Sequence, residues 1–243
     1  MEENETWRIL RYEEVGSTND IAKMLSAEPP ARRFVVTARR QTSGRARRGR
    51  SWQSLDGNLF MSQAFPLELR YLNDAVFLVS LSLYEAVTAF APRGEVRLKW
   101  PNDVLIENRK ISGILLEKGE NEYIIAGIGV NIASAPQARE PLLYPAAALA
   151  DFGVRTDCPK FLEAYLHAFD GNFDLWRQQG FMPIREKWLS HAKGLREEIV
   201  VNLEKRRETG IFEGLSENGA LLLRQRDEIV PILAGDIFYK KEN

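Results

Sequence analysis

Residues 96–132 read VRLKWPNDVLIENRKISGILLEKGENEYIIAGIGVNI. The stretch holds four strand-like runs close together: Val96–Trp100, Val104–Glu107, Ile111–Lys118 and Tyr123–Ile132. Turns at Asn108-Arg109 and Gly119–Asn121 predict antiparallel hairpins between them. With helices kept to separate stretches, the pattern predicts the α+β class around a mixed or antiparallel sheet.

Upstream, Ser17–Ala27 reads as a short helix capped by Ser17 or Thr18, with Ile21, Met24 and Leu25 as its apolar face and Pro29-Pro30 ending it. Phe34–Thr37 reads as a strand, a polar loop runs from Arg39 to Arg50, and Asn58–Phe65 is a strand after the turn at Gly57. Asn73 is the expected cap of a long helix reaching about Phe90, closed by Pro92 and Gly94. Downstream, a Pro- and Ala-rich loop from Ala133 to about Tyr144 leads to helices over Pro159–Gln179 and near Pro183–His191. Short strands then recur at Glu198–Leu203, Gly210–Glu213, Ala220–Leu223, Ile229–Leu233 and Ile237–Tyr239. Five strands in about 50 residues predict a small closed barrel. The expected organisation is a larger domain, 1–193, and a small one, 194–243.

The chain has 243 residues, 44% of them hydrophobic and 28% charged, which excludes disorder and collagen-like repeats. Its formal net charge is -1, so nothing global points to a nucleic-acid or membrane-surface protein. Cys158 is its one cysteine, which excludes an intramolecular disulfide and fits a reducing compartment. Two histidines, His167 and His191, argue against a His-rich metal site. The start, MEENETWRIL, lacks the apolar core of a signal peptide. The longest apolar stretches, near Phe77–Leu83 and Tyr123–Ala133, are too short to span a bilayer. A soluble cytoplasmic protein is the expectation.

The segment Arg39–Arg50, RRQTSGRARRGR, carries six arginines and no acid. Without them the chain holds 27 basic and 34 acidic residues, so positive charge is concentrated in one loop of an otherwise acidic protein. Gly44 and Gly49 permit close ligand approach, and arginine's planar fork suits phosphate or carboxylate. A flexible loop of this kind suits closing over a polyphosphate and gaining order with it. A solvated charge run or a small nucleic-acid patch is the alternative. Trp52, just beyond, supplies a ring able to stack on a base or wall an apolar pocket. The Gly-Lys-Ser/Thr ending of the common phosphate loop is absent.

Asn102 and Asp103 sit at a turn, where bonding to their own backbone is explanation enough. Lys110 is either an exposed lysine or a point charge for a phosphate or activated carbonyl. Gly113, Gly127 and Gly129 weaken their strands, which implies close packing or a ligand against the backbone. Asn131 has groups to donate to and accept from a nucleotide. Ser17-Thr18-Asn19 is a helix cap or a set of polar groups around a neutral polar ring.

In order along the chain, five motifs resemble those of the biotin–protein ligases, or biotin–[acetyl-CoA-carboxylase] ligases. They are STN at Ser17–Asn19, QTSGRARRGRSW at Gln41–Trp52, KWPNDV at Lys99–Val104, RKISGILLE at Arg109–Glu117 and GIGVN at Gly127–Asn131. The resemblance implies a catalytic domain like that of class II aminoacyl-tRNA synthetases and an SH3-like C-terminal barrel. It implies two steps: biotin and MgATP give biotinyl-5′-AMP and pyrophosphate, then the adenylate acylates a lysine of a biotin carboxyl carrier protein. Carried over by motif position, the catalytic residues are Lys110, Arg45, Arg47 and Asp103. Lys110 would bridge the biotin carboxyl and the α-phosphate, where fixed cations relieve like-charge repulsion. Arg45 and Arg47 belong to the loop that folds over biotin and adenylate, and Asp103 positions the incoming lysine or holds the groups around the site. Ser17, Thr18, Asn19 and Gln41 would hold the ureido ring, while Gly44 and Gly113 let the backbone approach biotin. Arg48, Arg50, Trp52, Asn102 and Asn131 join Arg47 and Lys110 at ATP. Mg²⁺ would arrive with ATP, held mainly by its phosphates, and no protein metal site is expected.

The family's loop usually reads GRGRRG, and Ala46 stands here at its third position. Alanine admits fewer backbone angles than glycine, which points to stiffer closure or altered adenylate retention. Many relatives carry an N-terminal DNA-binding domain. With STN at residue 17, a monofunctional ligase is expected, without a nucleic-acid or membrane partner. The family often pairs through sheet edges, which leaves a homodimer open. Lipoate–protein ligase or octanoyltransferase, with the same catalytic fold and a site lysine, is the rival; RRGRSW and KWPND favour biotin.

Overall fold

A computed structural model of the chain describes residues 3–4, 7–28, 32–137, 145–203 and 206–239. The chain opens with β1 (Glu3–Asn4) and β2 (Trp7–Val15). β2 has no counterpart among the expected elements. Only its ends, Trp7 and Val15, are buried, so the alternation that signals a strand is faint. Helix α1 (Thr18–Ser26) then crosses to β3 (Phe34–Gln41), which lies parallel to β2. Ser17 holds the N-cap position without a side-chain bond to the helix. Met24, expected on the apolar face, is 59% exposed; Ala22 is buried, with Ile21 and Leu25 packed beside it. Pro29-Pro30 lies outside the described residues.

β3 is longer than the expected Phe34–Thr37, because pairing with β2 continues through Val15 and Gln41. Arg39 and Arg40 therefore belong to a strand and not to the arginine loop. Both are exposed, with Arg40 at 3.3 Å from Glu14 and Arg39 at 3.9 Å from Glu13. The next elements are β4 (Leu59–Pro66) and α2 (Leu72–Phe90). The helix from Leu69 to Phe90 is long and apolar enough to cross a membrane by length and composition, contrary to the expectation from shorter runs. It serves as the core helix, with every residue from Phe77 to Leu83 buried. Asn73, the expected cap, lies in its first turn.

The four expected strands form as β5 (Val96–Lys99), β6 (Asp103–Ile106), β7 (Arg109–Lys118) and β8 (Tyr123–Val130), all antiparallel. The first tight turn falls on Glu107-Asn108, one residue earlier than expected, with φ of 47° and 62°. Such paired left-handed residues match the twist of the flanking strands. The sheet order is β1-β2-β3-β4-β8-β7-β6-β5. The Ala133–Tyr144 loop is described only through residue 137. Helices α3 (Cys158–Gln179) and α4 (Phe181–Ser190) follow. They pack with α2 on one face of the sheet, and α1 packs on the other.

A second sheet comprises β9 (Glu198–Asn202), β10 (Arg207–Leu215), β11 (Leu221–Gln225), β12 (Glu228–Ile232) and β13 (Asp236–Tyr239). All its pairings are antiparallel, in the order β12-β11-β10-β9-β13. β10 is longer than the expected Gly210–Glu213. The whole is α+β: a mixed central sheet with helices, and an antiparallel C-terminal sheet.

Candidate active site

Cross-strand register builds the site. On the face that carries α1, one row of partners runs Lys99, Asp103, Gly113, Gly129 and Phe60. The next runs Leu115, Gly127 and Ser62. The three glycines interrupt the side chains, so the sheet carries a trough. A Cβ on Gly129 would stand 2.2 Å from the Trp52 ring, and one on Gly127 would stand 2.3 Å from Asn19 Oδ1. A cleft of about 430 Å³ opens over this trough.

One end of the cleft is a closed set of neutral polar groups. The Thr18 N–H donates to Gln41 Oε1 at 2.9 Å, and the Thr18 hydroxyl lies 3.1 Å from the same oxygen. Ser62 Oγ reaches Thr18 Oγ1 at 2.7 Å and Asn19 Oδ1 at 2.5 Å. The Asn19 amide donates to Glu117 at 2.6 Å. Thr18, Asn19 and Ser62 are buried, so reciprocal hydrogen bonds fix the arrangement.

The other end is charged. A bulge in the β6–β7 pairing leaves Ile111 as an extra residue and brings Lys110 round to the Asp103 side. Lys110 Nζ donates to Asp103 at 2.6 Å, and Lys99 Nζ stands 3.6 Å from its other oxygen. Burial raises the Asp103 pKa, but Lys110 and Lys99 outweigh it and hold the carboxyl below the ordinary range. Burial draws the Lys99 pKa down against the pull of Asp103. Lys110 Nζ also lies 5.7 Å from the centre of the Trp52 ring.

The arginines from Arg45 to Arg50 arrive on a hairpin. Arg45 and Ser51 form an antiparallel bridge, Ala46 N donates to Arg50 O, and Trp52 N donates to Gly44 O. Its tip is Arg48-Gly49, with φ of 58° and 69°. Ala46 is extended, at φ -129° and ψ 176°. Alanine fits there without strain, and the left-handed demand falls on Arg48 instead. Arg47 donates to Asn102 Oδ1 at 2.9 Å, and the Asn102 amide is anchored on Ile114 O at 2.7 Å. Burial lowers the Arg47 pKa.

Most of the expected site residues line this one cleft. Ser17, Gly44 and Arg48 do not. Ser17 is buried at the start of α1, Gly44 is pressed against Trp52 O, and Arg48 turns to the second sheet. Asn131 lines the cleft but ties its amide to Ala147 O at 3.1 Å. Sequence reasoning did not assign Lys99, Ser62, Glu117, Asp20 or Asp236 to the site. Lys99 and Glu117 stood inside quoted motifs, and Asp20 directly follows one. Asp236 carries no local signal.

The arrangement sets cations beside a neutral polar pocket, a chemistry that suits the activation of an acyl group. The pattern of the biotin/lipoate A/B protein ligase family matches residues 13–131, and that of the biotin protein ligase C-terminal domain matches 197–240. A biotin–[acetyl-CoA-carboxylase] ligase of Paracoccus denitrificans is 37% identical over 222 residues, covering 84% of this chain and 89% of that one. The chain belongs to the biotin/lipoate A/B protein ligase family. Among solved biotin protein ligases, that of Aquifex aeolicus in complex with biotin and ATP superposes with a TM-score of 0.80 at 29% identity, covering 95% of this chain and 97% of that one. The Leishmania major ligase in complex with biotinyl-5-AMP gives 0.68 at 28% identity, covering 93% and 99%. As a family member, the chain is an enzyme of the ligase class.

Proposed function

We propose that this chain is an ATP-dependent biotin–protein ligase, which forms biotinyl-5′-AMP and passes biotin to a lysine of a biotin carboxyl carrier protein. The observation that carries it is one cleft joining a neutral polar pocket to Lys110 and Arg47. The uncharged ureido ring of biotin suits Thr18, Asn19 and Gln41. Its carboxylate then faces the cationic end, where attack on the α-phosphate brings two anions together. Lys110 and Arg47 offset that repulsion, and pyrophosphate leaves. Arg50, which lines the cleft, suits the remaining phosphates, and Trp52, over the glycine trough, suits the adenine. In the second step Asp103 orients the incoming lysine, whose neutral amine attacks the acyl carbon and expels AMP.

Mg²⁺ belongs with ATP. The cleft carboxylates Asp103 and Asp236 are both taken up by lysines or arginines, so phosphate oxygens would be its ligands. The C-terminal sheet is read as an SH3-like barrel and the larger sheet as synthetase-like, with the boundary near residue 193. The fold and composition favour the cytoplasm. Incubation with ATP, a carrier domain and labelled biotin or lipoate tests this reading. Biotin transfer is expected; lipoate transfer alone would overturn it.

A further inference from the structure

We infer that Glu117 is a positioning residue of the neutral pocket: its carboxylate fixes the direction of the hydrogen bonds through Asn19 and Ser62, so that Asn19 offers a ligand an acceptor and not a donor. The ligand group this suits is an N–H on a neutral ring. The inference rests on the proposed function only for which ring that is, the ureido ring of biotin. A carboxylate only accepts hydrogen bonds, whereas an amide side chain or a hydroxyl does both, so the polarity starts at Glu117. Its Oε2 accepts from Asn19 Nδ2 at 2.6 Å. That turns Asn19 Oδ1 to the other side, where the Ser62 hydroxyl donates to it at 2.5 Å. Ser62 has then used its one hydrogen, and toward Thr18 Oγ1, 2.7 Å away, it can only accept. At the far end the Thr18 N–H, which can only donate, fixes Gln41 in the same way: Oε1 accepts at 2.9 Å, and Nε2 is left as the donor of that amide.

Asn19 Oδ1 also reaches the glycine trough, since a Cβ on Gly127 would stand 2.3 Å from it, and both residues line the cleft. An amide oxygen has two lone pairs. Ser62 takes one, and the other remains for a ligand. An acceptor at Asn19 and a donor at Gln41 complement a cyclic urea, which carries N–H beside C=O. Thr18, Asn19 and Ser62 are buried, so a reversed bond among them would leave a polar group unpaired at full cost. With an amide in place of the Glu117 carboxylate, either orientation of Asn19 finds a partner there, and the pocket no longer presents one fixed pattern. Arg45 Nη2 stands 3.2 Å from the same Glu117 oxygen but also 2.7 Å from Asp20. Asp20→Asn therefore disturbs Arg45 while leaving the Asn19–Glu117 bond in place, which makes it the control.

Titration calorimetry with biotin tests this on the full chain, comparing the parent with Glu117→Gln and Asp20→Asn, each first shown to be folded by circular dichroism. Glu117→Gln is expected to weaken biotin binding about tenfold, the size of one hydrogen bond to a charged group. In turnover it should raise KM for biotin with little change in kcat or in KM for ATP. Asp20→Asn should lose clearly less affinity. Adding Asn19→Asp to Glu117→Gln should win back most of the loss. The pair is then reversed, with an amide hydrogen from position 117 meeting a carboxylate oxygen at position 19, and an acceptor again faces Ser62 and the ligand. A ligand-free measurement runs beside these: the isotope-labelled side-chain amide of Asn19, identified by its absence in Asn19→Asp, should exchange its hydrogens about tenfold faster in Glu117→Gln than in the parent. Equal biotin affinity in the parent and Glu117→Gln, an equal loss in Glu117→Gln and Asp20→Asn, or a folded double variant no tighter than Glu117→Gln would overturn the inference. A parent that binds no biotin would instead sink the proposed function, and the exchange of the Asn19 amide would then decide whether Glu117 holds it.

Discussion

The Asp236 carboxylate stands 3.1 Å from the Arg48 guanidinium and so ties the second sheet to the arginine hairpin. Arg50 and Arg47 reach the same carboxylate at 3.8 and 4.0 Å. Three guanidiniums around one point repel each other unless an anion sits among them. The Asp236 side chain is only 19% exposed, but Arg48 and Arg50 are 39% and 58% exposed, so salt screens part of the cluster.

Asp236→Asn removes that anion and keeps the shape. The three cations are then left without their partner, at a cost of about 1–2 kcal/mol. For a chain of this length the melting temperature should fall by about 4 °C. A thermal scan at low and high salt measures it, with the difference shrinking as salt rises. An unchanged melt would show that the hairpin is not fastened to β13.

Lys110→Ala and Arg47→Ala should each slow adenylate formation by about 10²–10³-fold, the usual effect of deleting one stabilising group at a developing charge. Asp103 keeps Lys99 at 3.6 Å in the first variant, so the fold should persist. Pyrophosphate release, read beside a circular dichroism spectrum, separates lost chemistry from lost structure. Release at the parent rate would remove both residues from the chemistry.

Gly129→Ala tests the trough. The added methyl would stand 2.2 Å from the Trp52 ring, and it is the indole on the hairpin that can move, because β8 is locked between β4 and β7. Trp52 should be pushed out, shifting tryptophan emission to the red and raising KM for ATP, while the melt changes little. Unshifted emission with an unaltered KM would mean that the indole does not rest on this backbone.

The β5–β8 run was legible in its sequence because its apolar blocks end at turn residues that bond locally. The glycines of β7 and β8 also announced a close approach, although not which ring lies there. β2 was not legible, since only Trp7 and Val15 of its nine residues are buried. Arg39 and Arg40 look like part of the arginine loop until β2 is known to pair beside them. The turn of Lys110 toward Asp103 depends on one extra residue at Ile111, which period-two alternation does not reveal. Asp236 lies far along the chain from the hairpin it holds, and only the packing of the two sheets brings them together.

Asp103 should also make stability depend on pH. Burial raises its pKa, but Lys110 and Lys99 prevail, and the folded value lies below that of an ordinary aspartate. A carboxyl with a depressed folded pKa binds fewer protons folded than unfolded, so its contribution is complete above the unfolded pKa and is lost as pH falls through the folded one. The window is therefore below about pH 4. Asp20 shifts in the same direction, whereas burial raises Asp74 and Asp170 and works the opposite way, so the Asp103 part is read as the difference between parent and variant. Asp103→Asn should be clearly less stable than the parent at pH 7, because Lys99 and Lys110 both lose the carboxylate that stands between them. The gap should narrow steadily below pH 4, as the parent's own carboxyl takes up its proton. Urea unfolding from pH 3 to pH 7 reads both curves, and a gap that stays constant across that range would show that the two lysines do not hold this carboxylate.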